Sequence, residues 1–149
     1  MKLHQLSVFL ENRPGQLRGP SEVLGREGID ILTMSLADTA QFGILRLVVA
    51  DWERAKRALE AAGTVVNVTE VVPVEVEDRP GGLGKALAVI DQAGLGIEYM
   101  YAFAAARRSG KAVIVFRFDD PDRAVAALQA KGIRVPSRDE LFGAQAAQR

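Results

Sequence analysis

The chain repeats itself. Residues 12–17 read Asn-Arg-Pro-Gly-Gln-Leu and residues 78–83 read Asp-Arg-Pro-Gly-Gly-Leu, an offset of 66 from Pro14 to Pro80. The same offset pairs Leu6, Val8 and Leu10 with Val72, Val74 and Val76, Leu24 with Ile90, Gly28 with Gly94, and Ile31 with Ile97. A longer loop in the second copy then raises the offset to 69, so that Leu45, Asp51, Arg54, Ala55, Leu59 and Gly63 match Ile114, Asp120, Arg123, Ala124, Leu128 and Gly132. The order of matches never changes, which marks a duplicated unit and not a chance hexapeptide. The boundary falls near Glu70–Val71 and predicts two domains, 1–70 and 71–149. No Pro/Gly/Ser linker separates them, so the units are expected to pack closely.

Each copy carries the same succession of periodicities. Leu6, Val8 and Leu10 alternate with Ser7 and Phe9, and Val74 and Val76 alternate with Glu75 and Glu77, the period of a strand with one buried face. Helical spacing follows the Arg-Pro-Gly turn, with Leu17, Val23 and Leu24 in copy one and Leu83, Leu87 and Ile90 in copy two. Gly28 and Gly94 are placed to end those helices. Ile29–Ala37, Gly43–Ala50, Ile97–Phe103 and Ala112–Phe118 read as strands. Asp51 and Asp120 stand at helix N-cap positions, Pro121 follows at the first helical position, and Gly63 and Gly132 close the second helices. Thr64–Thr69 and Ile133–Val135 complete each copy as a last strand. The order β-α-β-β-α-β, twice, predicts an α+β protein of two units, each a four-stranded antiparallel sheet with both helices on one face. Ser137 and Glu140 predict a capping box for a short terminal helix, with no further pattern beyond Gly143. Gly19-Pro20 interrupts the first helix of copy one, where copy two has Lys85-Ala86. That helix is expected to start late, near Pro20, or to be distorted there.

Composition narrows the function. Among 149 residues, 19 Lys and Arg balance 19 Asp and Glu, with one His and no Cys. Disulfides, thiolate nucleophiles and Cys-based metal sites are excluded, and the lone His4 rules out a multi-His centre within one chain. The net charge is −1 over residues 1–70 and +1 over 71–149, which argues against nucleic acid as a partner. No apolar stretch approaches the ~18–20 residues that span a bilayer, and the N-terminus lacks a signal-peptide core, so a cytoplasmic location without membrane contact is expected.

Few residues offer chemistry. Each Arg-Pro-Gly turn leaves a strand and opens a helix, where backbone N–H groups and the helix dipole favour a carboxylate or phosphate. A tight strand-to-helix turn explains the same residues without a ligand. Gly82-Leu83-Gly84-Lys85 fails as a phosphate loop, because Arg79 stands at the first Gly position and Ala86 replaces the magnesium-binding Ser/Thr. Tyr99 and Tyr101 share one face of a strand, either packing on the partner unit or walling a pocket between units, with Ser35 matching Tyr101 in copy one. Arg107, Arg108 and Lys111 read as a solvated basic turn, His4 as a partly buried structural residue, and Asp119–Asp122 as helix capping and not a calcium loop. No nucleophile, base and orienting group come together. No cofactor and no metal are expected.

Two βαββαβ units, each with Asn/Asp-Arg-Pro-Gly-x-Leu after the first strand and continued by Gly28-Ile29-Asp30-Ile31 or Gly94-Leu95-Gly96-Ile97, resemble tandem ACT domains over about residues 3–136. Ile97-Glu98-Tyr99-Met100-Tyr101 is further similar to stand-alone tandem-ACT proteins, some of them named for acetolactate synthase regulation. The resemblance implies ferredoxin-like units that bind a free amino acid at an interface between domains. The first turn of one domain supplies main-chain and Asn/Asp contacts, and strand residues of a neighbour close the site. Carried over, the ligand-binding positions are Asn12, Arg13, Pro14, Gly15, Gln16 and Leu17 in copy one, Asp78, Arg79, Pro80, Gly81, Gly82 and Leu83 in copy two, and Ser35, Tyr99 and Tyr101 on the strands. Copy one departs from the pattern at Asn12 and Pro20, which favours the copy-two turn. The resemblance implies a non-catalytic, homodimeric amino-acid sensor that modulates a separate biosynthetic enzyme. The alternatives are an interaction subunit of an acetolactate synthase-like enzyme without a ligand of its own, and a small enzyme on a ferredoxin-like fold.

Overall fold

The computed structural model describes residues 1–38, 42–103 and 110–146. Six strands, β1 (Leu3–Glu11), β2 (Ile31–Asp38), β3 (Phe42–Val49), β4 (Val65–Glu77), β5 (Ile97–Ala102) and β6 (Lys111–Phe118), alternate with helices α1 (Arg18–Arg26), α2 (Trp52–Ala61), α3 (Gly82–Gln92), α4 (Pro121–Ala130) and α5 (Arg138–Ala146). The strands are hydrogen-bonded in the order β2-β3-β1-β4-β6-β5. The expected pair of separate four-stranded sheets is therefore corrected to one six-stranded sheet, for two reasons. First, β4 runs unbroken through Glu70–Val71: its 13 residues contain no Gly, and period-two alternation persists from Val66 and Val68 to Val72, Val74 and Val76. Second, Ile133–Val135 forms no strand. Glu75 N–H donates to the Arg134 carbonyl at 2.9 Å, and Pro136, which has no N–H, follows immediately.

The chain divides into two compact units, His4–Thr69 and Met1–Leu3 with Glu70–Arg149. Lys2 accounts for the N-terminal residues belonging with the second: its ammonium meets the Glu70 carboxylate at 2.8 Å and the Asp122 carboxylate at 2.9 Å. Those two hydrogen bonds, Glu70 first, raise the Lys2 pKa above its ordinary value.

In the first unit, Leu6, Val8 and Leu10 of β1 pack with Leu45, Leu47 and Val49 of β3, Val23 and Leu24 of α1, and Ala55 and Leu59 of α2. In the second, Val72, Val74 and Val76 of β4 pack with Phe116 and Phe118 of β6, Ala86 and Ile90 of α3, and Ala124 and Leu128 of α4. Fully burying one such aliphatic or aromatic side chain contributes about 1.5–3 kcal/mol. The alternation and helical spacing of the sequence thus identify both cores, except at Leu17, which precedes α1 and is exposed instead of joining the first core.

The caps are local and repeat. Asp51 accepts from Arg54 N–H at 3.1 Å and Asp120 from Arg123 N–H at 3.0 Å. At the end of α1, Ile29 N–H donates to the Leu24 carbonyl (2.9 Å) and Gly28 N–H to the Gly25 carbonyl (3.1 Å). At the end of α3, Leu95 and Gly94 repeat the pair with Ile90 (3.2 Å) and Asp91 (2.9 Å). This is the Schellman arrangement, and it needs the positive φ that Gly28 (63°) and Gly94 (61°) supply.

Helix α1 starts at Arg18, two residues later than the offset from Gly82 would place it, with the buried Pro20 in its first turn. A proline there removes an N–H that has no intrahelical partner in any case. The capping box of α5 forms: Glu140 N–H donates to Ser137 Oγ at 3.3 Å and Ser137 N–H to the Glu140 carboxylate at 2.7 Å. The helix continues past Gly143 to Ala146, anchored by the buried Leu141. His4 is exposed instead of partly buried, and its ring stacks on Trp52 at 4.5 Å. Among the described residues no helix is long and apolar enough to cross a membrane.

Candidate functional site

The four helices that pack on the sheet differ at their N-termini. The two that follow β3 and β6 are closed by Asp51 and Asp120 and carry an acidic residue, Glu53 or Asp122, in the first turn. The two that open from the Arg-Pro-Gly turns, α1 and α3, have no side-chain cap and no acidic residue in the first turn. No N-cap side chain closes these two ends, although Glu22 binds Arg18 at the start of α1 and Glu77 binds Lys85 at the start of α3.

The turns themselves share a backbone. Gly15 has φ +87° and Gly81 φ +84°, a region that L side chains rarely adopt. Beyond that they diverge. In copy one, Asn12, Arg13, Pro14, Gly15, Gln16 and Leu17 are all exposed, and Arg13 pairs with Glu11 at 3.2 Å. In copy two, Asp78, Arg79, Pro80 and Gly81 are exposed, Leu83 is half-buried against the second core, and Gly82 is buried. A Cβ on Gly82 would lie 1.9 Å from the Glu77 carbonyl oxygen, so only glycine fits there. Asp78 N–H donates to the Gly110 carbonyl at 2.8 Å and Gly82 N–H to the Arg79 carbonyl at 2.9 Å, which ties the turn to the start of β6.

An ionic cluster flanks the copy-two turn. The Glu77 carboxylate accepts from Arg79 at 2.7 Å and from Lys85 at 3.0 Å. These bonds, Arg79 first, pull its pKa down to about 2. Beside it, Glu75 accepts from Arg134 at 3.0 Å, and Arg134 also binds Glu140 of α5. The end of β4 (Glu75–Glu77), the first turns of α3 (Gly82, Lys85, Ala86), Lys111 and Gly132–Arg134 enclose a cleft of about 190 Å³. Among the described residues no three His, Cys, Asp or Glu side chains converge as metal ligands would.

The strand residues lie elsewhere in their units. Tyr99 and Tyr101 are half-buried on β5, opposite Arg117 and Val115, with β6 between them and β4. Their face alternates with that of Met100 and Phe116, the core side, so within the unit the tyrosines do not meet the Asp78–Leu83 turn. Ser35, half-buried on β2 opposite Arg46, is likewise separated from the Asn12–Leu17 turn by β3 and β1. Of the basic turn, Arg107 and Arg108 lie outside the described residues, while Lys111 lines the cleft. Glu75, Glu77, Lys85 and Arg134 escape a reading of the sequence for site residues. The only local hint is that Glu75 and Glu77 share the outward face of an alternating strand.

The family model for the ACT domain pair matches residues 1–141. The chain belongs to the ACT domain pair family. Among solved structures, this ACT pair is similar to protein BT0572 from Bacteroides thetaiotaomicron, with 37% identity, 95% of this chain and 96% of that chain covered, and a TM-score of 0.87. It shares its fold with the regulatory subunit of aspartate kinase from Thermus thermophilus in ligand-free form, at 17% identity, 87% and 91% coverage and a TM-score of 0.64. The Thermus flavus counterpart gives 16% identity, 87% and 91% coverage and a TM-score of 0.59. No curated protein matches the chain.

Proposed function

We propose that this ACT pair is a non-catalytic regulatory protein that binds a free amino acid at the Asp78–Leu83 turn and modulates a separate biosynthetic enzyme. The observation that carries the reading is the contrast in helix caps. The helices after β3 and β6 are closed by aspartates, whereas α3 opens from a glycine turn with no cap of its own. An amino-acid carboxylate would complement that end, and Asp78 would meet the ammonium. The family match and the likeness to a protein described as a regulatory subunit support the reading. A thermal-shift screen of the common amino acids tests it: a ligand at 100 times its Kd adds about 2.7 kcal/mol of stability, and a screen without any shift would sink the proposal.

A second reading, an interaction subunit without a ligand of its own, is favoured by the strands that end the sheet order. On β2, Met34 and Leu36 pair with the core residues Leu47 and Leu45 yet are 62% and 55% exposed, and on β5 Met100 is 42% exposed. Apolar edge strands invite strand addition from another chain. Homodimerisation through such an edge is proposed on the same ground. Sedimentation across the micromolar range that shows only monomer would count against it, and capture of an enzyme without any amino-acid effect would favour the second reading.

A further inference from the structure

We propose that two copies of this chain join through β2, as an antiparallel pair of β2 strands about a two-fold axis at Ser35; this rests on the reading of the apolar edges as sites of homodimerisation and specifies which edge and which register.

The strands that end the sheet order, β2 and β5, are repeat counterparts, yet they differ as edges. An open edge presents unpaired N–H and C=O groups, and short length or a charged side chain discourages another strand from adding to it. β5 has both protections: it is six residues long and carries Glu98, whose side chain is 52% exposed. β2 is eight residues long, and Ile31–Ala37 contains no charged residue and no proline. Both strands shift register at their second residue, which is Glu98 in β5 and Leu32 in β2.

The side chains of β2 select a second copy as the occupant. Met34 and Leu36 lie opposite Leu47 and Leu45 of the first core, hence on the helix-bearing face, yet remain 62% and 55% exposed. Residues directly opposite in an antiparallel pair share a face. An axis at Ser35 sets Met34 opposite the partner's Leu36, and Leu36 opposite the partner's Met34. The apolar pair is thus complementary to itself, and each copy covers the other's. An axis at Leu36 would set Met34 opposite Asp38, and an axis at Met34 would set Asp30 opposite Asp38. Two β5 strands would instead bring two copies of Glu98 into one seam, where like charges repel.

The chain has no cysteine, so one introduced thiol reports on the axis. A residue on the axis stands about 4.5–5.5 Å from its own counterpart at Cα, within reach of a disulfide. A residue two positions away stands about 14 Å from its counterpart, beyond reach. The test is sedimentation of the full chain, Leu36→Lys and Met100→Lys across the micromolar range, with mild oxidation of Ser35→Cys and Ala37→Cys. Leu36, Ala37 and Met100 are exposed, so their variants are expected to keep the wild-type thermal midpoint. The expected result is a dimer weakened about tenfold or more by Leu36→Lys and less than about twofold by Met100→Lys. Ser35→Cys should form a covalent dimer about tenfold faster than Ala37→Cys. A dimer indifferent to Leu36→Lys, or weakened more by Met100→Lys, overturns the inference and leaves homodimerisation standing through another surface. Linking of Ala37→Cys as fast as Ser35→Cys overturns the axis at Ser35. A chain that stays monomeric overturns both the inference and homodimerisation, and leaves the amino-acid reading of the Asp78–Leu83 turn untouched.

Discussion

The Asn12–Leu17 and Asp78–Leu83 turns have the same ancestry in the repeat and the same left-handed glycine, yet only one is built into its surroundings. Copy one turns in the open, and its helix starts two residues late because Gly19-Pro20 occupies the first turn. Copy two begins its helix at Gly82, presses that residue's backbone onto Glu77, and holds Glu77 between Arg79 and Lys85. One duplicated motif thus serves as a plain turn in one place and as the wall of a charged cleft in the other. The change of Gln16 to Gly82 is what separates them, because a side chain at the latter position would keep helix and strand apart.

If the copies differ at their turns but not in their cores, the largest effects should be symmetrical. Leu59→Ala and Leu128→Ala each remove a fully buried side chain and should each cost about 2–5 kcal/mol in urea unfolding. A cost confined to one of them would break the equivalence of the cores. The next effect should be one-sided. Gly82→Ala should cost about 1–3 kcal/mol by overpacking, whereas the exposed Gln16→Ala should stay within about 0.5 kcal/mol. Equal costs at the two positions would refute the distinction drawn between the turns.

Binding should sharpen the contrast. Asp78→Ala is expected to weaken amino-acid affinity about tenfold or more by calorimetry, and Asn12→Ala to leave it nearly unchanged. A large loss in Asn12→Ala alone would move the site to copy one. Gly81→Val is a poor probe of ligand approach: although no atom crowds its Cβ, φ at Gly81 is +84°, so the variant strains the backbone whether or not a ligand binds.

The smallest effect concerns acid. The Glu77 carboxyl titrates near 2 in the folded protein against an ordinary 4.5. Its pKa is depressed, so the stabilisation is complete above about 4.5 and is lost as pH falls towards 2. Glu77→Gln should therefore flatten the dependence of stability on pH in that window and leave its slope above pH 6 unchanged. An unaltered acid limb would show that the Arg79 and Lys85 contacts do not persist in solution.

Much of the fold can be read from neighbouring residues. Asp51 and Asp120 cap helices because a short acceptor three residues ahead of an N–H needs nothing from the rest of the chain. Gly28 and Gly94 end helices for an equally local reason. The Asp78–Leu83 turn was legible because it recurs, whereas the acidic and basic walls around it were not, since their partners stand far along the chain. Tyr99 and Tyr101 show the opposite failure: their alternation correctly places both on one face, but periodicity does not say on which side of which neighbouring strand that face lies.

By itself the sequence determined the duplication, the order of elements from β1 to α4, the helix ends and both hydrophobic cores, because periodicity and capping operate over a few residues. Tertiary structure decided what depends on distant groups. It joined the last strand of one copy to the first strand of the next as β4, since nothing between Val65 and Glu77 forces a turn. It tied Lys2 to Glu70, 68 residues away, and Arg134 to Glu75, 59 residues away. It also brought Glu75, Glu77, Lys85, Lys111 and Arg134 to one cleft, a consequence of which distant side chains the closed chain sets side by side.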